Sequence, residues 1–124
     1  MFTKQAAIHS GYGATTTARE VLGDTRLDGK VAIVTGGYVG VGLETTRVLA
    51  AAGATVIVPA RTPEKARAAL AGIDRVELEA IELSDPASVD AFAARFSASG
   101  RPLHLLVNNA GIMAVPFARS PPGF

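Results

Sequence analysis

The stretch Val31–Gly42, VAIVTGGYVGVG, joins an apolar run to a cluster of glycines and decides the fold of this chain. Small or β-branched apolar residues precede the glycines, and a helix-like pattern begins at Leu43. This order predicts a strand, a tight turn and a helix N-terminus, which is the local geometry that receives a phosphate group. We therefore interpret the stretch as the phosphate loop of a dinucleotide-binding site.

The composition limits the chain to one packed domain and excludes several partners. With 124 residues, 48% of them hydrophobic, the chain can bury a single core of ordinary size. Its 12 basic and 11 acidic residues leave a net charge of +1, so we expect no nucleic-acid partner. The absence of cysteine excludes disulfides and thiolate metal sites. Since His9 and His104 lack carboxylate partners at ligand spacing, we expect no metal site.

The N-terminal segment, residues 1–28, is polar and predicts a loose arm with one short helix. Thr17–Glu20 fits a capping box ahead of Val21 and Leu22. The apolar run Ala6–Ile8 is too short for a secretory signal or a membrane span. We therefore expect a cytoplasmic protein with no membrane contact.

From Gly29 onward the pattern alternates between strand and helix. Apolar runs predict four strands, at about residues 31–35, 54–59, 76–83 and 103–107. The first strand leads into a helix over about residues 41–52, which Gly53 ends. Thr62-Pro63 and Asp85-Pro86 each supply an N-cap and a proline at the first helical position. Apolar residues recur at helical spacing after both: Ala66, Ala69, Leu70 and Ile73, then Val89, Phe92, Ala93 and Phe96.

The composition of the strands predicts their order in the sheet. Parallel strands that are covered on both faces are continuously apolar, whereas a half-exposed strand alternates. The segment Val76–Ala80, VELEA, alternates and should lie at an edge, whereas VAIV, TVIV and LHLLV are mostly continuous. This predicts a partial Rossmann-type α/β fold over residues 29–124, a doubly wound parallel sheet of about four strands in the order 3-2-1-4. The glycine loop then lies at the switch point where ligands bind.

The spacing of the glycines separates the possible phosphate loops. A P-loop that binds nucleoside triphosphates needs lysine after its last glycine, but Gly42 is followed by Leu43. The G-x-G-x-x-G fingerprint is not matched either, because the spacing is Gly36-x-x-x-Gly40-x-Gly42. Considered alone, the loop is therefore either a dinucleotide loop or a structural turn.

A second motif identifies the loop further. Thr35–Gly42 and Asn108-Asn109-Ala110-Gly111, each directly after a predicted strand, together resemble the short-chain dehydrogenase/reductase family. The resemblance covers residues 29–124, and the N-terminal arm is similar to that of bacterial, retinol-dehydrogenase-like members. It implies an oxidoreductase that transfers hydride between a nicotinamide cofactor and a carbonyl or alcohol substrate.

The resemblance also implies three groups of cofactor-binding residues. The glycine loop admits the pyrophosphate and supplies nearby contacts: Gly36, Tyr38, Gly40, Val41 and Gly42. The segment after the third strand lines the adenine, with glutamate where the family more often has aspartate: Glu82 and Leu83. The segment after the fourth strand lies beside the adenosine ribose, where asparagine either braces the sheet or contacts the cofactor: Asn109, Ala110 and Gly111.

The residues after the second strand indicate which dinucleotide is bound. NAD-binding folds place a carboxylate there for the ribose 2′-hydroxyl, whereas a nearby arginine suits a 2′-phosphate. The sequence reads Pro59-Ala60-Arg61, with no acid and one basic residue, and Lys65 is a weaker second candidate. Arginine can bond phosphate oxygens in a fork and stack on adenine. We therefore predict that Arg61 binds the cofactor and that the cofactor is NADP rather than NAD.

Catalysis in the family that this chain resembles needs a Tyr-x-x-x-Lys pair and a serine. Tyrosine acts as the general acid and base, and lysine lowers its pKa. This chain has two tyrosines, Tyr12 and Tyr38, and the residues four positions on are Thr16 and Gly42. We therefore predict that the catalytic half is absent, that this chain alone has no dehydrogenase turnover, and that a carbonyl or alcohol substrate binds only in a full-length form.

Two functional hypotheses remain open at this point. The chain is either the NADP-binding N-terminal part of a short-chain oxidoreductase or a non-catalytic dinucleotide-binding or assembly module. An apolar fourth strand at a sheet edge favours self-association under both. The mass of the native protein distinguishes them, because a protein about twice as large as this 12.7 kDa chain supports the first hypothesis.

Overall fold

The computed structural model describes residues 4–119 and residue 123. The elements, in chain order, are α1 (Ala18–Leu22), β1 (Val31–Val34), α2 (Gly40–Ala51), β2 (Thr55–Ala60), α3 (Pro63–Leu70), β3 (Val76–Ala80), α4 (Pro86–Ala98) and β4 (Leu105–Val107). Residues 1–3 of the predicted N-terminal arm lie outside the described residues. So do residues 120–122 and 124 of the predicted Rossmann-type segment.

The four strands form one parallel sheet in the order β3-β2-β1-β4, which confirms the predicted topology. Strand β3 lies at an edge, as the alternation of its sequence predicts. It ends earlier than predicted, at Ala80, because its partner β2 ends at the paired residue Ala60. Strand β4 begins later than predicted, at Leu105, since the imidazole of His104 already accepts the N–H of Val31 at 2.9 Å.

The sheet separates two apolar layers, so that its central strands are buried on both faces. On one face, β1 and β2 pack against α2 and α3, and the layer includes Ala32, Val34, Val56, Val58, Ala50, Ala66 and Leu70. On the other face, α4 supplies the cover, and the buried residues are Val31, Ile33, Ile57, Ile81 and Phe92. This arrangement is the doubly wound one that the sequence predicts.

The helix ends agree with the predicted caps except at Thr62. The capping box of α1 is present: the Thr17 hydroxyl accepts the N–H of Glu20 at 3.2 Å, and the Glu20 carboxylate accepts the N–H of Thr17 at 2.7 Å. Asp85 caps α4 by accepting the N–H of Ala87 at 3.0 Å. The side chain of Thr62 makes no cap bond, although α3 begins on a proline just as α4 does.

Two members of the predicted helical stripes lie elsewhere. Helix α3 ends at Leu70, so Ile73 reaches the core from the following turn. On α4, Phe92 is buried and Val89 and Phe96 pack beside it, whereas Ala93 is exposed. Each stripe is therefore narrower than the sequence pattern indicates.

Candidate functional site

A cleft of about 650 Å³ lies at the carboxyl ends of the strands, where the segments after β1, β2, β3 and β4 meet. That volume lies within the range of small-molecule and cofactor sites. Ten of the predicted site residues line it: Gly36, Tyr38, Val41, Gly42, Arg61, Glu82, Leu83, Asn109, Ala110 and Gly111. The remaining predicted residue, Gly40, is not among the lining residues and begins helix α2.

Further lining residues were not predicted from the sequence. They are Val39, Pro59, Ala60, Ile81, Ser84 and Ile112. Each lies within two positions of a predicted residue, so the signal for them is the end of a parallel strand rather than any motif. Of these, Val39 and Ile112 are exposed apolar residues, 64% and 82% accessible.

The glycines of the loop have different physical roles. Gly36 and Gly40 adopt left-handed backbone conformations, with φ of +64° and +54°, which other residues adopt only with strain. A Cβ at Gly42 would collide with the carbonyl oxygen of Gly36 and the amide of Asn109. A Cβ at Gly40 would meet nothing within 4 Å. Gly42 therefore permits the packing of the loop itself, whereas Gly40 provides the left-handed backbone at the start of α2.

A buried hydroxyl braces the glycine loop from behind. The side chain of Thr46, on α2, is fully buried and donates to the carbonyl oxygen of Gly37 at 2.8 Å. The same hydroxyl oxygen lies 2.7 Å from the position of a Cβ at Gly37, so a side chain there would displace it. Thr46 was not singled out from the sequence, where the available signal is a polar residue on an otherwise apolar face of the helix.

Thr35 and Asn109 join the glycine loop to the segment after β4. The Thr35 hydroxyl accepts the N–H groups of Asn109 and Ala110 at 3.1 and 3.0 Å. The Asn109 amide in turn donates to the carbonyl oxygens of Thr35 and Gly36 at 3.0 and 3.4 Å. Of the two roles that the sequence left open for this asparagine, the structure shows the bracing one, and the residue also lines the cleft.

The N-terminus of α2 adjoins the glycine loop, and no side chain supplies a negative charge there. Val39 precedes the helix and provides no side-chain hydrogen bond, and the first turn contains no acidic residue. The first turn of a helix carries unpaired N–H groups and a partial positive charge. This end of the cleft can therefore accept a phosphate group.

The far end of the cleft carries two opposite charges. Arg61 follows β2 and Glu82 follows β3, with 3.9 Å between Arg61 Nε and Glu82 Oε2. Hydrogen bonds from the N–H and the hydroxyl of Ser84, together with the charge of Arg61, lower the pKa of Glu82 below its usual range. The carboxylate is therefore ionised at neutral pH. Lys65, the second basic candidate, does not line the cleft.

The sequence profile of the short chain dehydrogenases matches residues 30–121. The match covers well over half of the chain. This protein belongs to the short-chain dehydrogenase family. The identification made from the Thr35–Gly42 and Asn108–Gly111 motifs is thereby confirmed.

Individual relatives of this chain are similar to it over a limited part of their own length. A protein of Streptomyces lividans described as a probable oxidoreductase is 53% identical over 95 residues, which are 73% of this chain and 31% of that protein. Retinol dehydrogenase 12 of Mus musculus is 38% identical over 107 residues, covering 82% of this chain and 34% of the relative. The chain thus spans about a third of the length of these relatives.

Solved structures are likewise similar to this chain over a limited part of their own length. An uncharacterized protein from Mycobacterium paratuberculosis superposes with a TM-score of 0.74 at 39% identity, covering 81% of this chain and 36% of the other. A metagenomic short-chain oxidoreductase, solved in complex with NADP, superposes with a TM-score of 0.63 at 40% identity, covering 69% and 41%. The partial Rossmann-type fold of this chain is therefore that of its family.

The structure also describes the residues that bear on a metal site and on a membrane span. Within residues 4–119, no group of three or more histidine, aspartate or glutamate side chains is arranged to hold a metal ion. The ring of His104 instead accepts the backbone N–H of Val31. The helices of the described part of this chain are all too short or too polar to cross a membrane.

Proposed function

We propose that the cleft binds NADP and that this chain is the cofactor-binding N-terminal part of a short-chain oxidoreductase. That enzyme transfers hydride between NADP(H) and a carbonyl or alcohol. The observation that carries the proposal is the convergence of ten predicted residues, from four separate segments, on one cleft at the carboxyl ends of the strands. Ligands bind at this position in doubly wound sheets.

Each part of the cleft suits one part of the cofactor. The N-terminus of α2 would receive the pyrophosphate. Arg61 would bond the 2′-phosphate, Glu82 and Leu83 would lie beside the adenine, and the 109–111 segment would lie beside the ribose. The bound nicotinamide would supply the hydride. The structure of a similar short-chain oxidoreductase with NADP supports this choice of cofactor.

The residues for proton transfer are proposed to lie outside this chain. Neither Tyr12 nor Tyr38 has a lysine four positions on. Tyr38 is partly buried against the core beside the glycine loop. We therefore expect the 124-residue chain to bind NADPH without reducing a carbonyl compound, and we place substrate binding in a longer form.

The binding proposal is tested by titrating the 124-residue chain with NADPH and following nicotinamide fluorescence. Gly40→Ala should weaken binding, because it strains the left-handed backbone where the glycine loop enters α2. Gly100→Ala is the matched control: its φ is +67°, a Cβ there also meets nothing within 4 Å, and it lies after α4, away from the cleft. Equal loss of binding in both variants would contradict the assigned role of the loop.

Turnover alone does not separate the enzyme fragment from the alternative module. NADPH binding without turnover is expected from both, so the native mass decides between them: a product about twice the size of this 12.7 kDa chain supports the oxidoreductase. A stable native protein of 12.7 kDa supports the non-catalytic module. Robust NADPH-dependent carbonyl reduction by the 124-residue chain would contradict the proposed absence of catalytic residues.

We also propose that the chain self-associates through β4. This strand lies at the sheet edge, and Leu106 is 56% exposed at its centre. An apolar edge strand presents both unpaired backbone groups and apolar side chains to another chain. Sedimentation analysis over a range of protein concentrations measures this association. The cytoplasmic location predicted from the sequence stays a proposal, which cell fractionation tests.

A further inference from the structure

The adenosine end of the proposed cofactor cleft is built from two neighbouring strand ends that carry opposite charges. Ala60 of β2 and Ala80 of β3 are paired in register. Arg61 follows Ala60 directly, whereas one residue separates Glu82 from Ala80. Both side chains therefore emerge at the same edge of the sheet. Their charged atoms, Arg61 Nε and Glu82 Oε2, lie 3.9 Å apart.

The carboxylate of this pair is held in place, whereas the arginine is not. Glu82 Oε1 accepts the Ser84 hydroxyl at 2.8 Å and the Ser84 N–H at 3.1 Å. The backbone N–H of Glu82 donates to the hydroxyl of Ser88 at 2.8 Å. Arg61 is 77% exposed, and in the described part of the chain its guanidinium forms the ion pair with Glu82 but no hydrogen bond. Glu82 thus provides a negative charge held by hydrogen bonds beside a solvent-exposed positive charge.

A ribose 2′-phosphate must enter this pair, whereas a 2′-hydroxyl need not. At 3.9 Å the contact is at the outer limit of an ion pair, so the arginine keeps N–H groups to offer. An incoming phosphate gains the attraction of Arg61 but has to draw it from Glu82, whose charge also repels the phosphate. NAD, which lacks the 2′-phosphate, meets neither effect.

We infer that Glu82 competes with the ribose 2′-phosphate for Arg61 and so weakens the preference of this cleft for NADP over NAD. The inference rests on the proposed function, in which the cofactor binds in this cleft. It makes Glu82 a specificity-determining residue, in addition to any contact with the adenine. The preference for the phosphate is then set by two residues of opposite charge rather than by Arg61 alone.

The test is Glu82→Gln, which removes the charge and keeps an oxygen that can accept the Ser84 bonds. Calorimetry on the 124-residue chain compares NADP⁺ with NAD⁺, and adenosine 2′,5′-bisphosphate with adenosine 5′-monophosphate. We expect the affinity of each 2′-phosphorylated ligand relative to its unphosphorylated counterpart to rise roughly three- to five-fold, the size expected for an exposed ion pair. This ratio cancels any change in the adenine contact, which both ligands of a pair share. The gain should shrink as salt is added.

Glu79→Gln is the matched control for the loss of a charge. The side chain of Glu79 is as exposed as that of Glu82, 39% against 38%, and it also pairs with an arginine, Arg95 at 3.4 Å. It does not line the cleft. This variant should leave the ratio of NADP to NAD affinity unchanged.

Arg61→Ala, alone and combined with Glu82→Gln, tests whether the competition runs through the arginine. We expect Glu82→Gln to raise the affinity for adenosine 2′,5′-bisphosphate less in the absence of Arg61 than in its presence. An undiminished gain without Arg61 would overturn the competition, and so would an unchanged ligand preference in Glu82→Gln. If the wild-type chain binds none of the four ligands, the proposed function itself fails.

Discussion

One row of residues crosses the sheet and ends differently at its two edges. In register it runs from Leu106 on β4 through Ile33 and Ile57 to Glu77 on β3. The two central residues are buried beneath α4. At the β3 edge, the Glu77 carboxylate accepts two bonds from Arg101, at 3.0 and 2.9 Å. At the β4 edge, Leu106 is 56% exposed.

The difference shows that the two edges are built for different surroundings. Charged side chains on an edge strand discourage pairing with another chain, and Glu77 and Glu79 place such charges on β3. Strand β4 has the continuously apolar sequence of a strand covered on both faces. We therefore interpret β3 as a permanent edge and β4 as a strand suited to a further cover.

The largest effect is expected from placing a charge at the β4 edge. Leu106→Lys should weaken the proposed self-association roughly ten-fold or more, because a lysine cannot be buried in place of the leucine. Analytical ultracentrifugation measures the dissociation constant. Leu103→Lys changes a residue that is 42% exposed but precedes the strand, and it should have a smaller effect. Equal effects of both variants would contradict the specific role of β4.

The next effect concerns how β4 is anchored to β1. His104→Leu removes the acceptor of the Val31 N–H and should lower the free energy of unfolding by about 1 kcal/mol. For a chain of this size, the melting temperature should fall by about 3–6 °C in calorimetry. His104→Asn retains an acceptor at a similar position and should recover most of the loss. No difference between the leucine and asparagine variants would show that the hydrogen bond is not what stabilises the strand.

A smaller effect is expected when the β3 edge is made to resemble the β4 edge. Glu77→Leu places a leucine at the opposite end of the same row and should strengthen self-association roughly three-fold, since only part of its surface would be buried. Sedimentation at several concentrations detects the change. Glu77→Gln removes the same ion pair without adding apolar surface, so it should leave association unaltered. An increase with glutamine would assign the effect to the lost charge alone.

The smallest effect should come from the ion pair that covers the β3 edge. Arg101→Gln removes the two bonds to Glu77 and the contact with the Phe96 ring, whose centre lies 5.8 Å from the guanidinium carbon. Because both charged side chains are partly exposed, we expect a loss of about 0.5 kcal/mol in urea unfolding. The loss should decrease in high salt. A loss as large as that of His104→Leu would show that the two edges depend equally on polar contacts.

The sheet order was predictable because burial leaves a periodic trace in the sequence. Strand β3 alternates Glu77 and Glu79 with apolar residues, and this alone placed it at an edge. The glycine loop and the Asn108–Gly111 segment each follow a strand, so their meeting followed from parallel topology. Local caps, such as the one at Thr17, were also predictable because they depend on residues a few positions apart.

The contacts that shape the site could not be predicted, because they join residues far apart in the sequence. The bond from Thr46 to Gly37 depends on how α2 packs beneath the loop. The Arg61–Glu82 pair depends on the register of β2 and β3 and on the turn at Ser84. Neither distance is specified by any local pattern. The cofactor-binding roles of Arg61 and Glu82 stay predictions.

The hydrogen-bond partners of the Thr35 hydroxyl also limit how early in synthesis the cleft can form. This hydroxyl accepts N–H groups from Asn109 and Ala110, residues that are synthesised more than 70 positions later. During translation the glycine loop therefore emerges long before the segment that contacts it. The entropy lost in closing the long intervening chain is offset only when β4 docks and its contacts form. A ligand that needs the closed cleft can bind only after this last step, and its binding in turn stabilises the docked strand.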